Sequence, residues 1–276
     1  MIRALLLLGF VLPACAADVE PIKNAGPYVP SPQSVVSDML RYAEVNANDF
    51  LIDLGSGDGR IVLTAAKVFG ARGFGVEIKE DLVKRANQAA KDQGLADRVK
   101  FVKQDLFKTD ISQASVITMY LLPDTVNLLK DKLLTELKPG TRIVSHDYPL
   151  TGWIPEKYVQ MDLEDKVQIS NVTTTLIYVY VVPARVAGSW TMRMPPAISS
   201  APATLSLRQQ LTRVSGTARI DGQEVPLEDV VLRGDKVSFR LAGRKGEFTG
   251  QVRGREIEGM FESGGAKSAW SASHKG

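Results

Sequence analysis

The stretch Asp53-Leu54-Gly55-Ser56-Gly57-Asp58-Gly59 constrains this chain more than any other. It follows an apolar run at 50–54 and precedes residues 60–69, which read as a helix. Alternate glycines between a strand and a helix permit tight backbone turns and leave room for a ligand. In a parallel sheet such a turn lies at the carboxyl edge, where open α/β sheets bind their ligands. A dinucleotide fingerprint, G-x-G-x-x-G, is excluded. Counted from Gly55 the third glycine is replaced by Arg60, and counted from Gly57 it is replaced by Val62. No Gly-Lys-Ser/Thr follows, so a P-loop is excluded too. Asp53, two residues before the first glycine, would repel a pyrophosphate; it suits a ligand with a positive ammonium or sulfonium group.

The surrounding pattern alternates strands with helices. Runs at 73–77, 99–103, 115–120 and 142–145 read as further strands, and 172–182 as a late strand of the same sheet. Helical stretches are predicted at 35–42, 80–93 and 123–137; the second stops at Gly94, and Pro123 opens the third. This order predicts a Rossmann-like α/β sheet with flanking helices. After Pro183 the pattern changes. Residues 195–202 are rich in proline and serine, and short alternating runs at 205–207, 217–220, 237–241, 248–252 and 256–261 are separated by glycines. They predict a small all-β antiparallel barrel or sandwich. The expected boundaries are 17–183 for the α/β domain, 184–203 for a linker with the first barrel residues, and 204–276 for the barrel.

Charge divides at the same place. Residues 184–276 hold 14 Lys+Arg against 9 Asp+Glu, and residues 1–183 hold 20 against 22. The total of +3 gives no electrostatic footprint for nucleic acid. One cysteine and two histidines leave no basis for a disulfide framework, and no metal site is expected. The start has the form of a signal peptide over 1–16: Arg3, an apolar run from Ala4 to Leu12, then small residues. That run is short of the ~20 residues of a spanning helix. Ala14-Cys15-Ala16 predicts cleavage before Ala17 and a periplasmic protein. Leu12-Pro13-Ala14-Cys15 resembles a lipobox, which would tether an acylated Cys15 to the membrane. The proline favours the first route.

From about 26 to 182 the chain resembles class I S-adenosylmethionine-dependent methyltransferases. The resemblance rests on the loop from Asp53 to Gly59, on Glu77 at the end of the second strand, and on Asp105 after the third. Pro27-Tyr28-Val29-Pro30, taken with the loop and Arg60-Ile61-Val62, narrows it to the subgroup related to mitochondrial lysine methyltransferases of the ATP synthase c-subunit. It implies S-adenosylmethionine as cofactor, bound by Gly55, Ser56, Gly57 and Gly59, with Asp53 by the methionine portion. It further implies Glu77 on the ribose hydroxyls, Asp105 near the adenine amino group, Tyr28 folded over the cofactor, and residues 119–123 lining the methyl-transfer site. Tyr120 is the expected acceptor-side residue, and His146, after the fifth strand, the expected base. The activity implied is N-methylation of a protein lysine or another envelope substrate. The N-P-P-Y signature of nucleobase N-methylation is absent, and no nucleic acid partner is expected. A non-catalytic S-adenosylmethionine-binding envelope protein whose β-barrel binds a ligand or partner is the alternative, motivated by the basic excess of the barrel and by export away from the cytoplasmic cofactor supply. The barrel bears a looser likeness to a small calycin, with Trp190 near its start and Trp270 near its end.

Overall fold

The computed structural model describes residues 27–164, 166–167 and 171–276. The leader-like segment, with Cys15 and Ala17, lies outside the described residues. The first domain is a seven-stranded sheet. Its strands are β1 (Phe50–Leu54), β2 (Arg72–Glu77), β3 (Val99–Lys103), β4 (Val116–Met119), β5 (Arg142–His146), β6 (Lys157–Asp162) and β7 (Thr174–Val181), in the order β3-β2-β1-β4-β5-β7-β6. β1 to β5 run parallel, and β7 enters antiparallel between β5 and β6. The order reverses at β1, whose two neighbours are β2 and β4. That places the glycine loop at the crevice where such sheets bind ligands.

Successive strand residues feed opposite faces of the sheet. Leu51 packs with α1 (Gln33–Tyr42), α2 (Arg60–Phe69) and α3 (Glu80–Asp92), whereas Ile52 packs on the other face with α4 (Pro123–Leu128) and α5 (Lys130–Glu136). The single helix expected over 123–137 is therefore two, interrupted only at Leu129. Leu129 is fully buried and keeps right-handed backbone angles, so the apolar face continues across the break. α2 is stopped by Gly70 at φ 72°, where the Gly70 and Ala71 amides donate to Ala66 and Ala65.

The second domain is a closed barrel of eight strands: β8 (Gly188–Arg193), β9 (Ala203–Gln210), β10 (Arg213–Ile220), β11 (Gln223–Arg233), β12 (Lys236–Leu241), β13 (Glu247–Arg253), β14 (Glu256–Ser263) and β15 (Ala266–His274). All neighbours are antiparallel, and β8 closes the ring by pairing with both β15 and β9. Its interior is filled. Trp190, Phe239 and Phe248 are fully buried, Phe239 and Phe248 stack at 4.9 Å, and Trp270 meets both edge-on at 5.6 Å. The indole N–H groups of Trp190 and Trp270 donate to the carbonyls of Val186 and Thr249.

Candidate functional site

A cavity of about 480 Å³ opens at the carboxyl edge of β1, β2, β3 and β4. Its floor is the glycine loop. Gly57 stands at φ 53°, and a Cβ there would lie 2.6 Å from the ring of Tyr28. Glycine is therefore required twice over, for the backbone angle and for the tyrosine that lies on it. Tyr28 belongs to the segment before α1, which is fastened across the cavity. Arg60 donates to the Ser31 carbonyl at 2.7 Å while gripping Asp58 through Nε and a terminal nitrogen at 2.6–3.1 Å. This Asp58–Arg60–Ser31 clamp was not foreseen in the sequence; its only signal was an arginine directly after the third glycine.

Glu77 is held rather than free. One carboxylate oxygen accepts from the Ile78 and Lys79 amides at 2.8 and 2.9 Å, and the other accepts from Gly57 at 3.1 Å. This carboxylate thus ties the end of β2 to the glycine loop. Asp105 spends one oxygen on the Phe107 amide at 2.9 Å and caps the 3-10 turn that follows. Both residues line the cavity, as do Tyr28, Asp53, Gly55, Ser56, Gly57 and Tyr120. Gly59 is not in the cavity wall. It turns the chain into α2 at φ 85° and packs beneath Phe101. Met119 is buried under the sheet, so Tyr120 and Leu121 are the wall residues after β4.

Asp53 is buried, with the Thr118 hydroxyl donating to it at 2.7 Å. Burial pushes its carboxyl up to about 7, against that bond, and the nearby Asp58 and Glu77 carboxylates push the same way. A cationic group in the cavity would relieve both effects. The Ser56 hydroxyl is buried with no hydrogen-bond partner among the described residues. An orphaned hydroxyl, three further carboxylates and a cavity in the size range of small-molecule sites fit S-adenosylmethionine.

The end of the cavity after β4 is aromatic. The Tyr120 ring packs against His146, tilted by 32° with centroids 3.9 Å apart, and Tyr148 stacks on Tyr120 at 6.5 Å. Burial and the neighbouring Asp147 carboxylate raise the Tyr120 phenol, so it keeps its proton. His146 is placed behind Tyr120 rather than on the cavity wall. It is fully buried, its Nδ1 is 2.8 Å from the Ser31 hydroxyl, and burial lowers its pKa to about 4. A neutral, enclosed imidazole joins Tyr120 to the segment that carries Tyr28. Asp147 is occupied in turn, with both oxygens on the Lys166 ammonium at 2.7–2.8 Å.

The ANTKMT methyltransferase domain family matches residues 53–157. A protein-lysine N-methyltransferase of Saccharolobus islandicus is 43% identical over 157 residues, a match covering 56% of this chain and 93% of that protein. The chain belongs to this methyltransferase family. It is an S-adenosylmethionine-dependent methyltransferase with a second, β-barrel domain. A Salinibacter ruber crystal structure, titled as an RNA methyltransferase with S-adenosyl-L-homocysteine, is 46% identical. Its match covers 57% of this chain and 96% of that one, with a TM-score of 0.52. The adenine nucleotide translocase lysine N-methyltransferase of Mus musculus is 34% identical over 135 residues, a match covering 49% of this chain and 58% of that relative's length.

Proposed function

We propose that the methyltransferase acts on the side-chain amine of a protein lysine. The observation that carries this reading is the acid-lined cavity with the protonated Tyr120 phenol at its acceptor end. Glu77 and Asp105 line the cavity, Asp53 stands ready to ionise beside a cation, and Arg60 is paired with Asp58; this acidic lining supports a cationic acceptor over a phosphate-bearing one. The name of the Saccharolobus relative supports the same class of acceptor.

Bound S-adenosylmethionine supplies an electrophilic methyl group on a positive sulfur. The chain's own residues supply position. The Glu77 bonds hold the loop, Asp53 offers a buried carboxylate to the cationic end, and the clamped segment keeps Tyr28 over Gly57. In this reading the Tyr120 hydroxyl, in the cavity wall after β4, would hydrogen-bond the incoming nitrogen. With its pKa raised it is a poor proton acceptor, and His146 is enclosed, so the lysine nitrogen sheds its proton to water before attack. His146 then serves as a positioning residue for Tyr120 rather than as a base.

The leader-like start supports an acceptor in the cell envelope, met by an exported or Cys15-tethered enzyme; mass spectrometry of the mature N-terminus reads the route. The activity test is incubation of the full chain with methyl-labelled cofactor and separate envelope protein, lipid and RNA fractions. Label recovered as methyl-lysine after protein hydrolysis is expected. Label confined to RNA or lipid refutes the lysine reading.

A further inference from the structure

The acids of the barrel are confined to one side of it. All nine Asp and Glu of residues 184–276 fall between Asp221 and Glu262, that is, on β11 to β14 and their turns. The other four strands, β15, β8, β9 and β10, are consecutive around the ring and contain none. Their alternation points Trp190, Leu205, Ala218 and Trp270 inward and leaves hydroxyls and cations outside. The pairing sets these in rows. Ser273, Thr191, Thr204 and Arg219 lie side by side across all four strands, and Ser271 is beside Arg193.

Arg193, Arg208 and Arg213 are exposed and make no ion pair among the described residues. The acid-paired cations of this face, Arg219 with Glu224 and Lys267 with Glu262, sit at its borders. A shallow groove of about 540 Å³ lies on the same face, with Thr191, Arg193, Ser271 and Ser273 in its lining. Two carboxylates reach the groove's margin, Glu256 on the Ser273 hydroxyl at 2.7 Å and Asp221 on the Ser199 hydroxyl at 3.0 Å, but neither pairs with Arg193; an unpaired arginine beside hydroxyls is the chemistry of phosphate recognition. No phenylalanine, tyrosine or tryptophan points outward from these four strands, so the face offers no platform for stacking bases. No large aliphatic does either, so nothing would enter a bilayer core.

We propose that the β15-β8-β9-β10 face of the barrel docks on the phosphate head groups of an anionic lipid surface, with Arg193 and its hydroxyl groove seating one head group. Docking is electrostatic and peripheral. It holds the methyltransferase at a membrane without insertion, and it is independent of which acceptor is methylated.

The test is co-sedimentation of the full chain with vesicles of phosphatidylcholine alone and of phosphatidylcholine mixed with phosphatidylglycerol. Binding to the mixed vesicles only, lost at high salt, is expected. Each cation removed should lower the partition about fivefold, so R193S/R208S/R213S should lower it about a hundredfold with unchanged circular dichroism. Lys236→Ser on the acidic side should leave it unchanged. Equal binding to neutral vesicles, equal loss in Lys236→Ser, or no binding overturns the proposal. So does displacement by millimolar inorganic phosphate at constant ionic strength, which marks a free-anion pocket, or preferential retention on duplex DNA, which marks a nucleic acid face.

Discussion

The seven-stranded sheet keeps its carboxyl edge open, whereas the eight-stranded barrel closes and fills its interior. In the sheet, the reversal of strand order at β1 leaves a crevice that no hydrophobic side chain fills, and carboxylates, a buried orphan hydroxyl and Tyr120 line it. In the barrel every strand edge is paired and Trp190, Phe239, Phe248 and Trp270 occupy the centre. Closure removes both the edge and the cavity, so any recognition by the barrel must use its outside. Chemistry and docking are thus divided between an inward acidic site and an outward basic face.

The largest effect that tests this division is in the barrel core. Phe248→Ala removes a fully buried ring that contacts Phe239, Phe261 and Trp270. It should cost about 3–5 kcal/mol of barrel stability, read by denaturant unfolding. Cofactor affinity, measured by calorimetry below the transition, should not change. An equal loss of affinity would show that the cavity depends on the barrel, and the comparison would break.

Glu77→Ala tests the other side. It deletes three anchoring bonds to backbone amides and the carboxylate offered to the ligand. Charged hydrogen bonds contribute about 1.5–3 kcal/mol each. Two lost to the cofactor predict a fall in affinity of more than a hundredfold, with the barrel's unfolding midpoint unchanged.

Those positions were legible to different degrees for physical reasons. Glu77 ends β2, Asp53 stands one residue before the end of β1 and Asp105 two residues after β3, and acids at the ends of strand-like runs are visible in one dimension. The clamp from Arg60 to Ser31 spans 29 residues and joins a side chain to a carbonyl, and no spacing announces such a bond. His146 reads as a base because it follows a strand at the site edge. Only packing shows the Tyr120 ring in front of it and Ser31 on its nitrogen. In the barrel, strands with apolar alternation were readable, whereas β8 and β15 lay partly hidden because serine, threonine and lysine fill their outward positions. The edge strand β6 carried only a weak signal, since Val159 and Met161 alone turn to the core as apolar residues and its exposed positions include Tyr158. The circumferential charge division needed the ring closure, which brings β15 beside β8.

A smaller effect is the pH dependence of the cavity. The Asp53 carboxyl holds its proton to about pH 7 in the folded chain and releases it near its ordinary 3.8 when unfolded. Between those values the unfolded state ionises first, so this group makes the unliganded fold less stable as pH rises. A cationic ligand favours the ionised carboxylate, so affinity should rise up to about tenfold per pH unit below 7 and level off above. Calorimetric titration across pH 5–8 measures the slope, and Asp53→Asn should flatten it. His146 acts in the opposite sense. It is neutral in the fold down to about pH 4, so the stability it contributes is present above its ordinary 6.5 and lost as pH falls. No titratable group buried to this degree lies in the barrel interior among the described residues, so its unfolding should be the less pH-sensitive of the two.

The smallest effect separates the domains by how they use ion pairs. In the sheet domain, Arg142 reaches Asp49, which is nearly buried and also receives the Ser115 hydroxyl and the Asn46 amide; Arg142 further donates to the Ala43 and Glu44 carbonyls. That arginine ties the end of α1 to β5 within a low-dielectric network, where the loss of one partner leaves others unsatisfied. The barrel pair Arg240–Asp229 has 51% and 65% of its side chains exposed. Water and salt screen it, and holding two long side chains in one geometry costs rotamer freedom. Arg240→Ala should therefore change barrel stability by less than about 1 kcal/mol, and the shift should vanish at high salt. A larger shift, or one that salt does not reduce, would mean that the acidic side of the barrel is held by its charges rather than solvated by them. The charge division between its two sides would then be part of the fold as well as a docking device.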